Sequence, residues 1–85
     1  MACYHIMAVI VSQRSHEARK VQDILTKNGC IIKMRVGMHD AGDVCSEEGL
    51  IILQLSGTIE LILDLMAELN GVEGVTAKEM EICSE

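Results

Sequence analysis

Positions 5–11 (His-Ile-Met-Ala-Val-Ile-Val) are almost continuously apolar and rich in β-branched residues. Such a run predicts a strand covered on both faces. A polar turn, Ser12-Gln13-Arg14-Ser15, follows. Ser15 then fits a helix N-cap, with Glu17 close to the positive end of the helix. Ala18, Val21, Ile24, Leu25 and Asn28 fall at i, i+3, i+6, i+7 and i+10, one helical stripe. Asn28-Gly29 predicts a left-handed C-cap. Residues 30–38 alternate Ile32, Met34 and Val36 with Lys33, Arg35 and Gly37, so this second strand should have one solvated face. A polar connection over 39–48 leads to a third strand at 50–55, Leu-Ile-Ile-Leu-Gln-Leu, again apolar on both faces. These two strands should form an antiparallel hairpin. Thr58 caps a second helix that Gly71 closes. Glu60, Asp64 and Glu68 make a narrow acidic stripe on it, and its apolar arc is wider than one sheet contact needs. A more polar strand over 76–82, carrying Lys78, Glu79 and Glu81, suits a protected edge.

The order strand, helix, strand, strand, helix, strand is α+β and ferredoxin-like, βαββαβ: one domain over residues 1–85, with a four-stranded antiparallel sheet and two helices on one face. Strands one and three are then the central pair, and they are the two doubly apolar ones. A two-layer fold covers only one sheet face. Either Ile6, Ala8 and Ile10 or Met7, Val9 and Val11 must therefore point away from the helices, with Leu50 and Ile52 or Ile51 and Leu53 beside them. A clustered apolar face of that kind predicts association with another copy as a homodimer or homotetramer. The apolar arc of the second helix is the competing surface.

Composition narrows the function classes. The 85 residues include one aromatic, Tyr4, and six methionines, so the core is aliphatic and pliable. A formal charge of −6 without clustered Lys and Arg argues against direct binding to nucleic acid, and the lack of aromatics removes a base-stacking platform. No apolar run is long enough to span a membrane, and residues 1–5 do not read as a secretory signal. A cytoplasmic location is expected, with Cys3, Cys30, Cys45 and Cys83 as free thiols because they are widely spaced and lack a C-x-x-C pair.

No catalytic arrangement stands out, and the chain is expected not to be an enzyme. The glycines fit neither G-x-G-x-x-G nor the P-loop. Ser12, Ser15 and His16 sit too close along the chain to serve as a nucleophile and its base. The loop residues His39, Asp40, Asp43 and Cys45 offer donors suited to a transition metal, although their spacing matches no zinc signature. Arg35 can present a planar fork to a carboxylate or phosphate, and Gly37 beside it would admit a ligand or a second backbone.

The runs Arg35-Val36-Gly37, Val9-Ile10-Val11 with Arg14, Val21-Gln22-Asp23-Ile24-Leu25, and Leu69 through Gly74-Val75-Thr76-Ala77-Lys78 resemble a small bacterial family of iron-only hydrogenase system regulators. That family has an ACT-like fold similar to the C-terminal domain of the nickel-responsive regulator. The resemblance implies an oligomeric regulatory module with a small effector near a subunit interface, and a hydrogenase-related partner protein. Ligand-binding candidates are Arg35 and Gly37 on the second strand, with Ser12 and Arg14 in the turn after the first. The cofactor is left open. The turn lacks the acidic-x-x-Gly pattern of amino-acid-binding ACT domains, so amino-acid binding is not expected. No DNA-binding helix precedes the domain, so control of transcription would need a partner. The alternatives are a metal sensor built on the 39–45 loop and a purely structural interaction domain.

Overall fold

The structure, a computed structural model, describes residues 2–12, 17–38 and 49–85. The elements are β1 (Cys3–Val11), α1 (Ala18–Lys27), a 3-10 turn (Gly29–Ile31), β2 (Ile32–Met38), β3 (Gly49–Leu55), α2 (Ile59–Asn70) and β4 (Val75–Cys83). The sheet is antiparallel in the order β2-β3-β1-β4, so the two doubly apolar strands are central as predicted. This is the ferredoxin-like, ACT-like fold.

The strand period decides which side chains meet the helices. Met7, Val9, Leu53 and Leu55 are buried with Val21 and Leu25 of α1 and Ile62, Leu65 and Leu69 of α2. Ile6, Ala8, Ile10, Leu50, Ile52 and Gln54 therefore point to the open face. Among the described residues no polar or charged side chain is fully buried, so the core is held by aliphatic packing alone.

A register shift between Ile32 and Met34 makes Lys33 an extra residue, a β-bulge. It overturns the simple alternation expected for β2. Ile32 turns to the helix side and packs on the core, whereas Met34 and Val36 pair with Gln54 and Ile52 and join the open face. Residues 30 and 31, expected at the start of this strand, lie in the 3-10 turn.

The helix ends also differ from expectation. Asn28 (φ −99°) and Gly71 (φ −76°) are not left-handed. Asn28 instead folds its side chain back, donating from Nδ2 to the Ile24 carbonyl at 2.8 Å. The positive-φ glycines among the described residues are Gly57 (φ +112°) before α2 and Gly74 (φ +81°) before β4, and an added Cβ at Gly57 would lie 3.1 Å from Cγ2 of Ile31. The Ser15 cap lies outside the described residues, and α1 begins behind Glu17 without a side-chain cap. Thr58 does cap α2, its Oγ1 accepting from the Leu61 N–H at 3.3 Å. Thr58→Ala is expected to cost about 1 kcal/mol in urea unfolding, with the slope unchanged.

The two helices are tied at their C-terminal ends. Lys27 donates to Glu68, and Asn28 Nδ2 lies 3.4 Å from the second Glu68 oxygen. The Lys27 hydrogen bond holds the Glu68 carboxyl below its ordinary value of 4.5, against the opposing effect of desolvation. Its folded pKa is thus depressed. The stability it lends is full above the unfolded pKa and fades as pH falls through the folded one. Glu68 is one-third exposed, so Glu68→Gln is expected to cost under about 1 kcal/mol at pH 7 and nothing at pH 2–3, measured by urea unfolding at both pH values.

Candidate functional site

The open face of the sheet carries six of the nine large apolar side chains exposed among the described residues. Tyr4, Ile10, Met34, Val36, Met80 and Ile82 lie on it, each between 41% and 54% exposed. Ile6, Ala8, Leu50 and Ile52 fill the space between them, half-buried. Lys78 is the one charged residue among the described strand positions that alternate onto this face. The acidic residues of the described helices and strands are elsewhere: Glu60, Asp64 and Glu68 on α2, Asp23 on α1, and Glu79 and Glu81 on the opposite side of β4.

The apolar excess of α2 does not make a comparable patch. At 100° per residue, exposed Ile59 and Leu63 lie on one flank of its buried stripe and exposed Leu61 on the other. The acidic stripe separates them on the outer side.

The described candidate ligand residues, Arg35, Gly37 and Ser12, do not converge within one chain. Arg35 pairs with Leu53 and so points to the helix side of the sheet, where its guanidinium donates to Oε1 of Gln22 on α1. Gly37 pairs with Ile51, and an added Cβ there would meet nothing within 4 Å. Ser12 lies at the far end of β1, its N–H donating to the Gly74 carbonyl at 2.8 Å. It is two strands across and five residues along from Arg35, about 20 Å. Arg14, His39, Asp40, Asp43 and Cys45 lie outside the described residues. A shallow cleft of about 380 Å³ runs between α2 and β4, lined by Met66, Asn70, Ala77, Lys78 and Glu79, and Arg35, Gly37 and Ser12 are not among its lining.

The structure brings together a group that spacing along the chain concealed. The β1–β4 ladder pairs Cys3 with Cys83, His5 with Glu81 and Met7 with Glu79. Asn70 takes both backbone groups of Ala77 from outside the sheet, donating to its carbonyl at 2.9 Å and accepting from its N–H at 2.7 Å. Val9–Ala77 is therefore a non-hydrogen-bonded pair, and so by alternation are His5–Glu81 and Cys3–Cys83, whose side chains approach most closely. Cys3 and Cys83 are joined as a disulfide, with Cα atoms 4.0 Å apart. This corrects the expectation of four free thiols. A separation of 80 residues in sequence disguised two neighbours in space. Cys30 is free and exposed.

No protein-family model matches the chain, and no curated protein matches it in sequence. Solved structures do match in shape. An uncharacterized protein, TM1266 from Thermotoga maritima, superposes with a TM-score of 0.82 at 23% identity, over 96% of this chain and 100% of its own. The ACT domain of GTP pyrophosphokinase from Chlorobium tepidum gives 0.68 at 15% identity, over 92% of this chain and 96% of that one. CPII, a nitrogen regulatory PII-like protein from Thiomonas intermedia K12 bound to ADP, AMP and bicarbonate, gives 0.59 at 15%, over 98% and 93%. At these identities the likeness establishes the fold: the chain is built as ACT domains and PII-like proteins are.

Proposed function

We propose that the chain is a non-enzymatic regulatory module that works as an oligomer, with a second copy seated on the open sheet face and a small-molecule effector bound near the subunit boundary. The open apolar face carries this reading. Six of its large side chains are about half exposed. Burying them from each of two copies contributes on the order of 10–20 kcal/mol, against association costs of about 4–15 kcal/mol. A second copy is the occupant because a two-fold contact sets this nearly uncharged face against itself while the acidic residues of the described helices and strands stay outside. The effector is supported by fold likeness, since CPII binds ADP and AMP. Arg35, on the β2 edge, has guanidinium donors to spare beyond the one Gln22 takes. The link to an iron-only hydrogenase system and a hydrogenase-related partner is supported by the sequence resemblance.

Sedimentation equilibrium at about 10 μM is expected to give twice the chain mass or a higher even multiple, consistent with an interface of ordinary affinity. A monomer at that concentration would overturn the proposal.

A further inference from the structure

We propose that Cys3, His5, Glu81 and Cys83 form a redox-gated site for a divalent transition ion such as zinc, open when the two thiols are reduced and closed when they are joined. The donors project from one side of the β1–β4 ladder, two successive non-hydrogen-bonded pairs of the same sheet. One ligand atom each from Cys3, Glu81 and Cys83 lies within 4.8 Å of the others. His5 lies just outside that group, its Nε2 standing 3.1 Å from Oε2 of Glu81, and a shift of its ring would bring it in as a fourth donor. Two thiolates, an imidazole and a carboxylate suit zinc, cobalt or ferrous iron and not magnesium or calcium. Thiolates on one tetrahedral ion stand about 3.8 Å apart, given metal–sulfur bonds of about 2.3 Å. Side chains on Cα atoms 4.0 Å apart span that distance once the disulfide opens.

A second observation points to the same ion. His5 Nδ1 and Glu79 Oε2 are both buried and lack a hydrogen-bond partner, yet they face each other at 3.6 Å. Metal-bound histidines regularly hand their other ring N–H to a carboxylate, which fixes the tautomer and raises ligand basicity. With Nε2 on the metal, Nδ1 carries the proton and Glu79 accepts it. The ion would give both orphaned atoms a function. Cys3, Glu81 and Cys83 are exposed, so an ion has a way in. The site lies on the helix side of the sheet, so a copy seated on the open face leaves it accessible.

The gating step balances with a dithiol as reductant. The dithiol passes two electrons and two protons to the cystine and becomes a disulfide itself. The ion then displaces the two thiol protons as the metal–sulfur bonds form.

The test uses the full, untagged chain, reduced and then freed of reductant under nitrogen, and titrated with Co²⁺. The expected result is one equivalent bound, with thiolate-to-cobalt charge transfer in the near ultraviolet, tetrahedral d–d bands in the red, and displacement by Zn²⁺. The oxidised chain should show neither band. Cys3→Ser and Cys83→Ser should each lose the site, whereas the double variant Cys30→Ser, Cys45→Ser keeps it. Glu79→Gln, outside the ligand set, should weaken Co²⁺ about 10–100-fold with the band positions unchanged. The unmodified chain decides the matter even where a variant fails to fold. Binding of less than about one-tenth of an equivalent, an octahedral spectrum, or equal binding by the oxidised chain would refute the proposal. So would loss of the bands in the Cys30, Cys45 variant.

Discussion

Ile10→Asp is expected to convert the proposed oligomer to a folded monomer. Ile10 sits on the open face, 41% exposed, beside Leu50 of β3 and Thr76 of β4. In a single chain the new carboxylate stays in water, and the change costs at most about 1 kcal/mol of strand preference. In the assembly it is dehydrated, at several kcal/mol per ion, and symmetry brings in two of them. The dissociation constant should rise by at least ~1000-fold, read by sedimentation equilibrium, with the far-ultraviolet circular dichroism unchanged. Leu63→Asp on the outer flank of α2 serves as the control. If Leu63→Asp dissociates the protein and Ile10→Asp does not, the helix layer carries the contact and the sheet face is free.

Reduction of the Cys3–Cys83 bond should produce the largest change in stability that leaves the sequence intact. The bond closes a loop spanning 80 residues, nearly the whole chain. Cross-linking ends that far apart removes much of the freedom of the unfolded ensemble, typically 2–4 kcal/mol, with long loops at the upper end. For a domain of this size that corresponds to a fall in Tm of roughly 10–25 °C. Scanning calorimetry with and without a phosphine reductant, in the presence of a chelator, measures it. The Cys3→Ser, Cys83→Ser double variant should melt at the reduced value under both conditions. Equal Tm values for the oxidised and reduced protein would mean that the terminal strands are held by their ladder and core contacts alone.

The fold was legible because its decisive signals are local. Two continuous apolar runs marked the central strands, and a single apolar stripe at 21 and 25 marked the helix that covers them. Which side of β1 faces the helices was not legible, since Met7 and Val9 are no more apolar than Ile6 and Ile10. The helices make the choice by packing. The bulge at Lys33 was hidden for a related reason. An extra residue is a fact about two strands together, and β2 alone reads as unbroken alternation. The helix ends deceived in another way: Asn-Gly and a terminal glycine permit a left-handed cap without requiring one, and the Asn28 side chain supplied the alternative.

The candidate site was the least legible part. Arg35 and Gly37 stand out within their own strand, where a charge and a glycine interrupt apolar positions. The Cys3, His5, Glu79, Glu81 and Cys83 group has no signal within any short window. It emerges from one rule, that partners in the β1–β4 ladder have residue numbers summing to 86.

Asn70 has a consequence for polymerisation. Sheets grow into open filaments only when each copy offers two strand edges for pairing. On β4 the outward N–H and C=O of Ala77 are already held by the Asn70 amide. An incoming strand must break both bonds and displace a side chain anchored at the end of α2. Edge pairing is thus disfavoured at the Ala77 stretch of β4. A single carboxamide thus guards part of the exposed edge of a very apolar sheet against strand addition.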